Sequence, residues 1–265
     1  MTVTKAHAYG NDFLLAPAES ASGDLPALAR AMCHRHTGVG ADGLILYTLN
    51  RPGAAMRLLN ADGSWSELSG NGLRCLAALV ARAEGLTPGA TIRIDSDAGV
   101  KTLDFLAQDG RRYDFRTAMG QPTDIQQVQI TAAGETVAAT VLRTGNPQCI
   151  VLGELPTMER FNALGPALST HPMFPAGTNV EFVHVDRPDR IRILIWERGV
   201  GPTSSSGTGS TASAVAAAAH GGASRSVDVV APGGTQHVDW LETGVYLTGS
   251  AELIFDGQWL REVAR

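Results

Sequence analysis

The sequence predicts a two-lobed α/β (α+β) protein in which each lobe runs through strands to a glycine-rich helix start. Three observations carry this. Strand-like runs recur in both halves, the few helical segments are rich in Ala and poor in charge, and one Ser-Gly-x-Gly turn occurs twice. With 265 residues the chain exceeds the usual single-domain size, so one large or two medium domains are expected.

The strand-like runs of the first half are GLILYTL (43–49), AMRLLN (55–60), ATIRIDS (90–96) and RRYDFRT (111–117). Those of the second are QCIVLG (148–153), NVEFVHV (179–185), RIRILIWE (190–197), SVDVVA and HVDWLE, and VYLTGSAELIFDGQWL near the end reads as a hairpin. Many alternate apolar and polar residues, as half-buried strands do. Helical patterning is limited to LPALARAMCHR (25–35), GLRCLAALVARAEG (72–85) and TGSTASAVAAAAHGG (208–222). The last two carry almost no charge, which predicts burial on every side, and each stops at Gly.

The repeated turns are Ser69-Gly70-Asn71-Gly72 and Ser206-Gly207-Thr208-Gly209. Each precedes one of the two apolar helices, which points to a duplication with two similar lobes facing each other. The boundary is expected near the loop 119–124. That gives an N-terminal lobe of residues 1–118, to which 254–265 return, and a C-terminal lobe of 119–253. A helix start leaves backbone N–H groups unsatisfied and carries partial positive charge, and Gly lets a ligand reach that backbone. Two such starts make a double cradle for a carboxylate; the alternative is a pair of ordinary caps.

Composition narrows the function classes. Hydrophobic residues make up 44% and charged residues 18%, enough for a sizeable core. The net charge of −5, with scattered basic residues, argues against a nucleic-acid partner. The N-terminus MTVTKAHAYGNDF has no apolar leader segment, and no stretch approaches the roughly 18 apolar residues of a membrane span. A cytoplasmic location and no membrane partner are therefore expected. Cys33, Cys75 and Cys149 are irregularly spaced and form no disulfide framework. No zinc-site spacing occurs. Each Cys reads first as a small buried hydrophobe.

Asn, Glu and Arg concentrate in Gly-rich stretches: Tyr9-Gly10-Asn11-Asp12-Phe13, Asn60-Ala61-Asp62-Gly63-Ser64, Gly145-Asn146-Pro147-Gln148, Gly177-Thr178-Asn179-Val180-Glu181-Phe182 and Trp196-Glu197-Arg198-Gly199. Any single Asn is more simply a turn residue. Glu197-Arg198 is different, because adjacent opposite charges at the end of an apolar strand are costly without partners. Arg198 can grip a carboxylate with two parallel hydrogen bonds, and Glu197 can accept a proton from an ammonium.

Together these stretches resemble the diaminopimelate epimerase family. The motifs KAHAYGNDF, GVGADG, NADGSWSELSGNGLRC, GNPQ, FPAGTNVEFV, WERGVGPTSSSGTG and VYLTGSAELIF stand in family order across nearly the whole chain. The resemblance implies two pseudo-symmetric lobes, each a mixed β-sheet wrapped around a central buried helix. It also implies cofactor-independent epimerisation of LL- to meso-diaminopimelate, a lysine and peptidoglycan precursor step, with no metal. It assigns substrate binding to Asn11, Asn60, Asn146, Asn179, Glu197 and Arg198, and backbone contacts with the reacting carboxylate to Gly70, Asn71, Gly207 and Thr208. A small amino acid is the expected partner, and a homodimer is a candidate assembly.

The proton-transfer positions depart from the family. Ser69 and Ser206 stand where the family has its two catalytic Cys, and Gln148 stands where it has His. Cys75 matches a helix-interior Cys and not the base. A thiol near pKa ~8.5 is a competent base once a helix start lowers it further, whereas a serine hydroxyl needs an adjacent base. Gln148 does not titrate. His7 is the nearest candidate by motif, although a packed or solvated His is the simpler reading. Ser69 and Ser206 also suit helix N-caps. Three functions stay open: an epimerase or racemase, a one-base lyase or isomerase, and a binding protein that has lost both thiols.

Overall fold

The computed structural model describes residues 1–260. The chain divides into two compact units, one of Met1–Thr117 with the chain from Gly249 onward, the other Ala118–Thr248. Residues 261–265, the last part of the expected return, lie outside the described residues.

The first unit opens with β1 (Thr2–Ala8) and β2 (Asn11–Pro17), then α1 (Leu25–Cys33), β3 (Gly43–Leu49), β4 (Gly53–Asn60), the short β5 (Trp65–Ser66) and α2 (Gly70–Glu84). It continues through β6 (Thr91–Ser96), β7 (Gly99–Asp109) and β8 (Arg112–Gly120), the last three residues of which belong to the second unit. The second unit holds β9 (Thr123–Ala132), β10 (Glu135–Thr144), β11 (Asn146–Leu152), α3 (Met158–Ser169), β12 (Asn179–Arg187), β13 (Arg190–Glu197), β14 (Gly201–Thr203) and α4 (Gly207–Ala216). It ends with β15 (Ser226–Ala231), β16 (Gly234–Leu241) and the first part of β17 (Gly244–Gln258).

Each unit has the same connectivity. The strand pairs β2–β3 and β11–β12 are parallel, and a helix fills each crossover, because parallel neighbours need a long connection. The pairs β3–β4 and β12–β13 are antiparallel, as are the short pairs β4–β5 and β13–β14. The parallel pairs β4–β6 and β13–β15 then enclose α2 and α4 respectively in sequence. Strands β1 to β4, β6 and β7 pack on α2, and β10 to β13, β15 and β16 pack on α4. Each unit is thus a mixed sheet around a central helix.

Burial explains the composition of those helices. Every residue of α2 from Asn71 to Ala81 is buried, with Leu76, Ala77 and Ala78 packed against Ile92, Leu103 and Phe105. Gly85, at φ 63°, ends the helix, and Leu86 N–H donates to the Ala81 carbonyl at 2.9 Å, the Schellman arrangement that satisfies a terminal carbonyl. In α4 every residue from Gly209 to Ala216 is buried. Two of its hydroxyls are paired inward: Thr211 donates to the Gly207 carbonyl (2.8 Å) and Ser210 to Gln236 (2.8 Å).

The structure corrects the expected C-terminal hairpin. Residues Gly244–Gln258 form one continuous strand. Within it Gly249 sits where a Cβ would lie 3.0 Å from the Tyr9 hydroxyl, so the glycine serves a close approach. A further helix, α3, also departs from the sequence reading, because Gly165-Pro166 inside it reads as a break. Gly165 is required by packing: a Cβ there would lie 2.7 Å from the Trp196 ring, which itself packs edge-on against Phe161.

That contact fixes the sign of a substitution. Gly165→Ala improves helix propensity by about 1 kcal/mol, yet it drives a methyl into a packed indole. Overpacking costs about 1–3 kcal/mol, so a net destabilisation of up to about 2 kcal/mol is expected in urea unfolding; a variant more stable than wild type would show that Trp196 moves aside freely.

Candidate active site

In the first unit the cradle is built on the start of α2. Ser69 has an extended backbone (φ −133°, ψ 123°), and its side chain accepts from Gly72 N–H at 3.1 Å. Its own carbonyl takes Leu73 N–H at 2.8 Å. The amides of Gly70 and Asn71 belong to the turn that no preceding turn can satisfy. A Cβ at Gly70 would meet nothing within 4 Å, so the backbone there is open to approach, whereas one at Gly72 would lie 3.0 Å from Ile45. The first glycine exposes backbone and the second permits packing.

Asn11 and Asn71 are brought together and locked. The Asn71 amide donates to the Asn11 carbonyl oxygen at 3.2 Å, and the Asn11 amide donates to Asp42 at 2.7 Å. Asp42 is held by Arg35 (2.7 Å), which also makes two hydrogen bonds to Asp12 (2.8 and 3.2 Å), while Lys5 pairs with Asp12 at 2.9 Å. On the other side the buried Arg74 guanidinium donates to the Asn71 carbonyl oxygen and lies over the Tyr9 ring at 5.6 Å. Tyr9 accepts Ser250 N–H at 2.8 Å and occupies positive φ (56°) beside Gly10 (84°), the pattern of a tight hairpin turn between β1 and β2. Burial pushes the Arg74 pKa down.

Asn60 is not tied into this group. Its amide donates to Ser64 at 2.9 Å inside its own turn. His7 accepts Gly10 N–H at 3.4 Å and makes no hydrogen bond with Ser69. Among the described residues Ser69 has no carboxylate or imidazole hydrogen-bonded to it.

The second unit repeats the cap with different surroundings. Ser206 is extended (φ −144°, ψ 127°), accepts Gly209 N–H at 3.1 Å and opens α4. The Ser206 hydroxyl lies beside the Glu197 carboxyl. Burial raises the Glu197 pKa above its ordinary value of 4.5, and the neighbouring Ser206 hydroxyl partly offsets this. Glu197 is the last residue of β13, and Arg198 follows it, its N–H donating to the Asn179 side-chain oxygen at 2.9 Å. The Arg198 guanidinium donates to the Ala176 carbonyl at 2.7 Å and has no acidic partner among the described residues. Gly177 makes room for it, since a Cβ there would lie 2.8 Å from Arg198.

Asn146, Gln148, Asn179 and Thr208 form a second cluster. One end of the Gln148 amide lies 2.7 Å from Asn146 Oδ1 and 3.3 Å from Asn179 Nδ2 and Thr208 Oγ1, and Thr144 donates to the Thr208 carbonyl at 3.3 Å. Behind them lies Glu181, fully buried on β12 and absent from the roles expected on sequence. A carboxylate inside the apolar run NVEFV was the available signal, because an isolated charge there is expensive. Burial pushes its pKa well up, and the neighbouring Glu197 adds to this.

Cys33, Cys75 and Cys149 are buried, and burial pushes each thiol up to about 12. None supplies a thiolate at neutral pH. Among the described residues no three His, Cys, Asp or Glu side chains group to hold a metal, and no helix is long and apolar enough to cross a membrane.

Burial alone raises the Asp12 pKa, but hydrogen bonds from Arg35 and Lys5 outweigh it and hold the carboxyl below 3.8. Its stabilisation is therefore present above that pH and is lost as pH falls through the folded value. Asp12→Asn should cost about 2 kcal/mol at neutral pH, with the gap from wild type closing in acid unfolding series; a gap independent of pH would contradict the ion-pair account.

The family model described as diaminopimelate epimerase matches residues 3–125 and 140–254. Diaminopimelate epimerase of Desulforudis audaxviator is 41% identical over 98% of this chain and 100% of its own length. That of Desulfitobacterium hafniense is 38% identical over 99% of each. Among solved structures, a protein described as a predicted epimerase from Pseudomonas aeruginosa superposes with a TM-score of 0.75 at 14% identity, over 98% of this chain and 99% of that one. A hydroxyproline epimerase from Agrobacterium vitis, with bound trans-4-hydroxy-L-proline, gives 0.70 at 17% identity over 97% and 91%. At such identities these two establish likeness of fold.

Proposed function

The chain belongs to the diaminopimelate epimerase family, and we propose that it inverts one α-carbon of diaminopimelate, LL to meso, without a cofactor, using Ser69 and Ser206 as its two proton-transfer groups. The observation that supports this most is the Ser206–Glu197 pair. A serine hydroxyl becomes a useful base only beside a group that takes its proton, and burial makes Glu197 a stronger base than an ordinary carboxylate.

In the forward direction Ser206 Oγ takes the substrate α-proton as its own hydroxyl proton passes to Glu197. Charge that develops in the substrate carboxylate is met by first-turn amides, at Gly70 and Asn71 or at Gly207 and Thr208. The Ser69 hydroxyl returns a proton to the opposite face of the α-carbon and is reprotonated from solvent, while Glu197 gives its proton back to solvent. Arg198 serves the distal carboxylate, with Asn11, Asn60, Asn146 and Asn179 holding the polar ends. The protein would act in the cytoplasm on a free amino acid, with a homodimer as candidate assembly and no nucleic-acid partner, in line with its acidic balance.

The two hydroxyls are unequal, since Ser69 has no such base. Proton return through Ser206 should therefore outpace return through Ser69. In D₂O, α-deuterium should enter diaminopimelate faster than the centre inverts, and Glu197→Gln should lower exchange by about 10²-fold or more. Absence of exchange in every stereoisomer of diaminopimelate, or exchange untouched by Glu197→Gln, would contradict the reading. The same inequality favours one alternative, a one-base lyase or isomerase, which an unsaturated or keto product would reveal by absorbance.

A further inference from the structure

We propose that Glu181 is a positioning residue: its carboxyl proton decides which end of the Gln148 amide faces Asn146, Asn179 and Thr208. The role toward substrate rests on the function proposed above; the coupling between the proton and the amide does not.

The geometry allows two hydrogen-bond patterns. In the first, Gln148 Nε2 donates to Asn146 Oδ1 at 2.7 Å. The Gln148 oxygen then lies 3.0 and 3.2 Å from the two Glu181 carboxyl oxygens, and its nitrogen lies 3.3 Å from both Thr208 Oγ1, which can accept from it, and Asn179 Nδ2, a donor facing a donor. Those are contacts between acceptors unless Glu181 is the neutral acid, whose O–H donates to Gln148. In the second, the amide is turned. Its nitrogen donates to both Glu181 oxygens and its oxygen accepts from Asn179 Nδ2 and Thr208 Oγ1, each at 3.3 Å. That pattern suits a carboxylate, and it sets the Gln148 oxygen against Asn146 Oδ1, which must turn in response. Asn179 cannot follow, because its oxygen is committed to Arg198 N–H at 2.9 Å. One proton therefore selects between two arrangements at the positions assigned to the substrate.

The surroundings favour the acid in the resting protein. Glu181 is fully buried, and no Lys, Arg or His pairs with it among the described residues. From β13 it faces Glu197, a second carboxyl. From β11 the titratable neighbour is Cys149, whose thiol is pushed up to about 12 by burial and then by Glu181. From α4 it meets Gly209, where a Cβ would lie 2.4 Å from its Oε1. The positive end of that helix works toward the carboxylate, but Gly209 N–H is already taken by Ser206 at 3.1 Å. The Arg198 guanidinium points to the Ala176 carbonyl.

A folded-state pKa raised above the unfolded one means that stability is greatest below the ordinary value of 4.5 and declines as pH rises toward the folded value. Glu181→Gln, a neutral isostere that still donates to Gln148, should remove that decline.

A neutron structure of the ligand-free protein at neutral pH reads proton and amide together, which X-ray data at ordinary resolution do not. The expected result is a deuteron on Glu181 directed at the Gln148 oxygen, with the Gln148 ND₂ group toward Asn146. A bare carboxylate with the ND₂ group turned toward it would overturn the proposal. Calorimetry with meso-diaminopimelate over a pH series upward from the ordinary carboxyl range then tests the positioning role. Wild type should lose affinity at least threefold more than Glu181→Gln across the series, and equal losses would overturn that role. Failure of wild type to bind at any pH would count against the proposed function and the positioning role, while the neutron result still decides the proton coupling.

Discussion

Everything in this structure depends on a serine cap at the start of a helix that is buried on all sides. Such a helix has nowhere to send its first amides except to its own cap or to a guest. Ser69 and Ser206 each satisfy one amide, at Gly72 and Gly209. Gly70 keeps the backbone bare where the remaining amides emerge, whereas at Gly207 a Cβ would lie 3.2 Å from Leu247. Wrapping a mixed sheet around that helix supplies the burial, and it also obliges the sequence to use Ala, Ser, Thr and Gly in place of larger residues along α4.

The repeat of the cap does not extend to its electrostatics. In the first unit, charge is invested in orientation: Lys5, Arg35, Asp12 and Asp42 fix Asn11, and Arg74 fixes Asn71. In the second, the buried Glu181 and the half-buried Glu197 lie close together, with the Ser206 hydroxyl beside Glu197 and Gln148 beside Glu181. Burial that weakens acids makes Glu197 a better proton acceptor. In the mechanism proposed above, the first unit serves to hold and the second to take up a proton, which suits a chain whose serines cannot ionise unaided.

Much of the fold was legible because period-2 patterns and small-residue helices are local signals. Arg190–Glu197 and Gly43–Leu49 were read with their observed limits. The elements that escaped share a physical cause: tertiary contacts overrode local punctuation. Tyr9-Gly10 forms a tight turn although Tyr is a poor resident of positive φ, because its ring and hydroxyl are held by Arg74 and Ser250. Gly249 and Gly165 look like breaks and are close approaches. Within the site, the paired Asn residues and the Glu-Arg step stood out by composition. Glu181 did not, since a single Glu in a strand reads as solvent-facing until the helix packed over it is known.

The most direct measurement restores thiols at both caps. If the binding shell and backbone cradles are intact and only the proton carriers differ, Ser69→Cys with Ser206→Cys should convert slow exchange into fast inversion of LL-diaminopimelate, followed by circular dichroism of the amino acid. An equally folded double variant that binds diaminopimelate yet inverts it no faster than wild type would contradict the account.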